Sequence, residues 1–202
     1  MERMEANNSV RLCGVMGGAP VYSHSSRGQD FFVFPLVVER LSGNIDCLNV
    51  LVRADQLEAL SPQEAGKLCV TGEVRSFNSR RSEGARLVIT VLARELGFCE
   101  GEDENLVELT GTLCKEPNPR TTPMGREICD LMLAVNRRYG RSDYLPCICW
   151  GQTAREAASW GVGTRIRLLG RLQSRDYIKL TDAGPVQRTA FEISATEAAC
   201  LG

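Results

Sequence analysis

The 202-residue sequence predicts an all-β protein built as two similar halves, with one short helix in each. Three observations predict it. Apolar and polar residues alternate over short runs, the period of half-buried strands. Glycines and prolines punctuate those runs. The chain also repeats itself: Ser9-Val10-Arg11-Leu12-Cys13-Gly14 aligns with Leu106-Val107-Glu108-Leu109-Thr110-Gly111, and Arg27-Gly28-Gln29-Asp30 with Met124-Gly125-Arg126-Glu127, both at an offset of 97. Gly72-Glu73-Val74-Arg75-Ser76 aligns with Gly170-Arg171-Leu172-Gln173-Ser174 one residue later. Three anchors in register indicate a tandem duplication.

The elements follow in order. In the second half Val107–Leu113 alternates as a first strand. Pro117, Pro119 and Pro123 are expected to keep the next loop extended and out of any ladder. Cys129–Val135 reads as a second strand and Tyr144–Trp150 as a third. Gln152–Trp160 has good helix formers and no Gly or Pro, and Gly161 and Gly163 close it. Arg165–Gln173 and Thr189–Ala195 are the fourth and fifth strands. The first half repeats the plan, with Ala54–Glu64 in the helix slot. Three strands, a helix and two strands in about ninety residues are the layout of an OB-fold, a five-stranded Greek-key barrel. The expectation is two tandem OB-fold barrels, residues 1–99 and 106–202, joined by the acidic linker Glu100–Asn105.

Composition narrows the function. No apolar run approaches the roughly 20 residues that span a bilayer, and residues 1–6 lack an apolar core, so a cytoplasmic protein is expected. Nine cysteines without a Cys-x-x-Cys read as reduced thiols. Cys47, Cys69, Cys129, Cys147 and Cys149 lie in strand-like runs as small buried hydrophobes, the last two on one face of their strand. There is no Gly-x-x-x-x-Gly-Lys loop. His24 is the single histidine, and its serine neighbours are no indication of triad geometry. No enzyme, cofactor or metal is expected. Net charge is −1 and unevenly spread: residues 1–104 carry 11 − 15 = −4 and residues 105–202 carry 13 − 10 = +3. Polyanion contact should fall on the second half.

That half holds Asn136-Arg137-Arg138-Tyr139-Gly140 at a strand end, then Tyr144 and Trp150 on the next strand. Guanidinium groups beside aromatics suit a flexible polyanion whose bases can be splayed and stacked. Further motifs are Leu109-Thr110-Gly111-Thr112-Leu113, Pro119-Arg120-Thr121-Thr122-Pro123-Met124-Gly125, Leu133-Ala134-Val135-Asn136-Arg137-Arg138-Tyr139, Trp150-Gly151-Gln152-Thr153-Ala154 and Leu169-Gly170-Arg171-Leu172-Gln173-Ser174-Arg175. As a set they resemble the bacterial single-stranded DNA-binding protein family. The first half fits the same scaffold at its glycines and apolar positions but has few of the motif residues.

The resemblance implies stacking of bases on Tyr144, Trp150 and Tyr177, with Tyr139 nearby and Arg120, Arg137, Arg138, Arg141, Arg171 and Arg175 along the backbone. Arginine can grip phosphate bidentately or lie flat on a base, though charged strand edges also simply keep sheets soluble. In the first half the hairpin with Arg75, Phe77, Arg80 and Arg81 is the candidate contact. Val52 is placed at the Trp150 position, leaving a weaker first site. Phe31, Phe32 and Phe34 are assigned to the core or to pairing between barrels, and Trp160 to core or interface packing.

The expected activity is sequence-tolerant binding of single-stranded DNA in replication, recombination or repair, on a surface that would also accept RNA. The family builds assemblies of four barrels, so a homodimer is implied. The family's acidic tail, which recruits other enzymes, is missing from Glu197–Gly202. The alternative is a primosome or replication protein-interaction module with weak or no DNA binding.

Overall fold

Alternation carries the fold into three dimensions. The computed structural model describes residues 7–60, 66–79, 86–182 and 184–202. Its first half runs β1 (Asn8–Met16), β2 (Val21–Ser26), β3 (Gln29–Glu39), β4 (Ile45–Arg53), α1 (Ala54–Glu58), β5 (Lys67–Ser79) and β6 (Arg86–Cys99). The second runs β7 (Glu104–Leu113), β8 (Asn118–Thr121), β9 (Glu127–Asn136), β10 (Ser142–Trp150), α2 (Gly151–Ala157), β11 (Arg165–Thr181) and β12 (Gly184–Cys200). In β7, Val107, Leu109, Gly111 and Leu113 turn inward while the residues between them stay accessible. Leu12, Leu36, Leu48 and Val91 fill the first interior, and Leu109, Leu133, Leu145 and Ile166 the second. Each such side chain contributes about 1.5–3 kcal/mol by leaving water.

Both halves close the same way. β1 pairs with β5 and then bends to meet β3 at Val15↔Val37, while β4 runs parallel to β6 at Val50↔Val91. β7 pairs with β11 and bends to β9 at Leu113↔Leu133, while β10 runs parallel to β12 at Cys147↔Ile193. The cycles β1-β3-β4-β6-β5 and β7-β9-β10-β12-β11 are five-stranded OB barrels in tandem. The repeated glycines sit where strands crowd. A Cβ on Gly14 or Gly111 would collide with the carbonyl oxygen of Val37 or Ala134, and one on Gly72 or Gly170 with that of Leu92 or Ser194. Each helix follows the third barrel strand; α2 buries Ala154 and Ala157, and Trp160 packs on the core beyond it.

β1 and β7 pair antiparallel from Asn8↔Leu109 to Cys13↔Glu104, so one sheet continues across both barrels. This shortens the expected linker, because Glu104 and Asn105 belong to β7. The Asn105 amide donates to Leu172 O at 2.6 Å and its oxygen accepts from Leu172 N at 2.9 Å. Asn8 does the same with Val74.

Other expectations change too. Pro119 does enter a ladder, opposite Cys129, but in β8 at the edge of the sheet, where a missing N–H is tolerated. The β11–β12 hairpin extends to Thr181↔Gly184, past both strands read from the sequence. Its outer part is exposed, so it carries no burial alternation to read. Cys129, Cys147 and Cys149 are buried as expected, whereas Cys47 is exposed on the outside of β4 and Cys69 is half-buried. Among the described residues no helix is long and apolar enough to cross a membrane.

Candidate nucleic-acid interface

Because Leu145, Cys147 and Cys149 point into the second barrel, Tyr144, Pro146, Ile148 and Trp150 share its outer face. Pairing extends this face. Tyr144 lies opposite Ala134 and Ile148 opposite Asp130 on β9, and Arg120 of β8 lies opposite Ile128. In the other direction Ile148 meets Ser194, Ser194 meets Arg171, Arg175 meets Ala190 and Tyr177 meets Arg188. Tyr144, Trp150, Arg120, Arg171, Arg175 and Tyr177 therefore share one curved surface. Tyr144 is 50% exposed and Tyr177 is 41% exposed. The Arg175 guanidinium stands 6.0 Å from the Tyr177 ring centre, within cation–π range.

The residues on that face differ in freedom. Trp150 is half-buried, and its indole N–H donates to Ser194 Oγ at 3.0 Å, which fixes the ring and leaves part of it accessible. Arg120 is held bidentately by Asp130, which raises its pKa further. Arg171 and Arg175 make no ion pair among the described residues, and Arg171 Nε is buried without a partner there. Arg138 and Tyr139 occupy the β9–β10 turn, where Tyr139 and Gly140 adopt left-handed φ values of 72° and 78°. Tyr139 is 96% exposed.

Arg137 and Arg75 are employed elsewhere. Asp143 is fully buried. It accepts from Arg137 Nε at 2.8 Å, from Arg137 Nη2, from Arg75 Nη1 at 2.9 Å and from Ser76 N at 2.6 Å. Arg137 also donates to Ser76 O, and Tyr144 N donates to Ser76 Oγ at 2.7 Å. Arg75 is further paired with Glu73. The mirror image binds the other side of the joint. Buried Asp46 accepts from Arg40 Nε at 2.7 Å, from Arg40 Nη2 and from Ser174 N at 2.8 Å, while Cys47 N donates to Ser174 Oγ at 2.9 Å. The repeat relates Arg40 to Arg137, Asp46 to Asp143 and Ser76 to Ser174. Two pseudo-symmetric clamps thus lock the barrels, and a guanidinium committed to a buried carboxylate is not free to grip phosphate.

The first barrel presents a different outer face. Register and the helix start place Arg53 at the Trp150 position, while Val52 is fully buried. Cys47 occupies the Tyr144 position. Phe77 is 51% exposed, and Arg80 and Arg81 lie outside the described residues. Of the three phenylalanines, Phe34 is core and Phe32 packs against it, but Phe31 turns outward. It lies opposite Arg53 and stacks on His24 with ring centres 4.9 Å apart and an interplanar angle of 5°. Strand parity was the available signal, since Phe32 and Phe34 share one face and Phe31 takes the other.

Known proteins are similar to this chain in sequence and in fold. The single-strand binding protein family matches residues 104–201. Single-stranded DNA-binding protein B of Bacillus subtilis is 35% identical over 80 residues, 36% of this chain and 71% of that protein. Single-stranded DNA-binding protein 3 of Streptococcus agalactiae is 31% identical, and the protein of Enterococcus faecalis 34%, each over 80 residues and 36% of this chain, covering 58% and 43% of theirs. The chain thus spans about half the length of several curated relatives it matches. In structure, the single-stranded DNA binding protein from Thermus aquaticus superimposes with a TM-score of 0.77 at 21% identity, over 96% of this chain and 93% of that one. The second barrel carries the family's motifs, both barrels share its architecture, and the chain belongs to the single-strand binding protein family.

Proposed function

We propose that the chain binds single-stranded DNA with little sequence preference, chiefly on the outer face of its second barrel. The observation that carries this is the joining of Tyr144, Trp150, Arg171, Arg175 and Tyr177 on one accessible sheet surface. Aromatic rings there stack bases irrespective of identity, and unpaired guanidinium groups attract phosphates. Arg138 and Tyr139 extend the surface at the β9–β10 turn, and Arg120 borders it. Phe77, with Phe31 and Arg53, gives the first barrel a smaller share. Arg75 and Arg137 serve the joint between barrels.

The units follow the repeat, residues 1–99 and 106–202, and a homodimer would present four barrels to one strand. The setting is cytoplasmic, in replication, recombination or repair. The test is a tryptophan-fluorescence titration with oligo-dT at several salt concentrations, together with a mass measurement in solution. Quenching whose affinity falls steeply with salt supports the reading; no binding at low salt, or binding indifferent to salt, rejects it.

A further inference from the structure

Three cysteines gather on the outside of the first barrel, where the chain passes to the second. Cys13 of β1 lies opposite Cys69 of β5 on one side and Glu104 of β7 on the other. Cys99 ends β6, opposite Lys67. The Cys13 and Cys99 sulfurs are 2.7 Å apart, inside the contact distance of unbonded sulfurs and a short step from the roughly 2.05 Å of a disulfide. The surroundings hold them there. Lys67 donates to Gly101 O at 2.9 Å and pairs with Asp103 at 2.7 Å, and Asp103 also accepts from Glu39 N at 2.6 Å. The segment after Cys99 is therefore anchored on two strands.

The two sulfurs differ in access. Cys13 is 4% exposed, whereas Cys99 is half-buried. Burial, and then the hydrogen bond with Cys99, pushes the Cys13 thiol up to about 12. Cys99 is the sulfur an incoming reagent can reach, and Cys13 is the resolving partner behind it.

We propose that Cys13 and Cys99 form a reversible intrachain disulfide, made by exchange with a low-molecular-weight disulfide, that pins the strand joining the barrels to the start of the connecting segment. The Cys99 thiolate attacks one sulfur of the small disulfide, whose S–S bond breaks, and the first small thiolate leaves and takes up a proton. The Cys13 sulfur then attacks Cys99 in the mixed disulfide. Its proton passes to the second departing thiolate. Two protein thiols and one small disulfide give one protein disulfide and two small thiols; the protein loses two electrons and the reagent gains them. Neither cysteine lies among the residues proposed to contact nucleic acid.

The experiment uses the full chain with oxidised glutathione, then alkylation under denaturing conditions and digestion without reductant. The expected product is a cross-linked peptide pair containing Cys13 and Cys99, two hydrogens lighter than the separate thiol peptides. The melting temperature should rise by about 4–16 °C and return on reduction, since the bond closes a long loop. Cys69→Ser should keep both signals, and Cys99→Ser should lose both. A Cys13–Cys69 link, a glutathione adduct that persists on Cys99, or separate alkylation of both cysteines overturns the proposal.

Discussion

Asp143→Ala is the sharpest test of how the barrels are held. The buried carboxylate serves four donors, Arg137 Nε and Nη2, Arg75 Nη1 and Ser76 N. Alanine removes every acceptor at once and leaves Arg137, 26% exposed, without its counter-ion, while Arg75 keeps only Glu73. Breaking a buried pair by removing one partner costs about 3–5 kcal/mol. For a chain of this length, at about 2–4 °C per kcal/mol, the melting temperature should fall by about 6–20 °C. Asp46→Ala strands fewer donors, Arg40 Nε and Nη2 and Ser174 N, and should cost less. Calorimetry and urea unfolding of both variants read the difference. A loss below about 2 °C for Asp143→Ala, or a larger loss for Asp46→Ala, would refute the clamp reasoning. Arg137→Met adds a decisive comparison: it should lower the melting temperature while changing the salt dependence of oligonucleotide binding little.

Three further outcomes are expected. Tyr144→Ala and Tyr177→Ala should each weaken oligo-dT binding by about 1–3 kcal/mol in fluorescence titration without altering the melting temperature appreciably; unchanged affinity in both would remove stacking from the outer face. Arg171→Ala should reduce the slope of log affinity against log salt by about 0.7, the share of one phosphate on a single strand. An unchanged slope would mean that Arg171 contacts no phosphate. For Asp103, burial alone would raise the carboxyl, but the Glu39 N–H and the Lys67 ammonium outweigh it and hold it below the usual range. Its contribution is therefore complete above the unfolded carboxylate value of about 3.9 and is lost as pH falls through the lower folded value. Asp103→Asn should flatten that part of the acid-unfolding curve, and an identical acid limb in the variant would show that the pairing carries no stability.

Much of the fold was legible because it rests on local alternation and on the repeat. Strands such as Val107–Leu113 and Cys129–Val135 fell within a few residues of β7 and β9, since burial on one face imposes period two. Gly14, Gly72, Gly111 and Gly170 are legible in the sequence as repeat anchors, and the structure gives the reason, since a Cβ at each would strike a neighbouring carbonyl oxygen. The outer β11–β12 hairpin was harder to read, because strands exposed on both faces have no such period. The same parity argument separates Phe31 from Phe32 and Phe34, but only once the inward face of β3 is fixed by Leu36 and Val38 in the core.

The candidate site was legible as a set of residue types rather than as an arrangement. Arg137 and Arg138 are neighbours in sequence and look alike there; one is locked to a buried carboxylate and the other stands at an open turn. Ser76 and Ser174 stand in the sequence as anchors of the repeat, and nothing along the chain marks them or Asp143 as a joint between barrels, because short polar side chains near strand ends are ordinary. Their part depends on partners 67 or 128 residues away. By itself the sequence determined the all-β class, the repeat and the supply of aromatics and arginines in the second half, because these follow from periodicity and composition along the chain. Only the tertiary structure decided which arginines are free. A charge's role is set by the counter-charges and burial that surround it, and for Arg137 those are the buried Asp143 and, from the other barrel, Ser76.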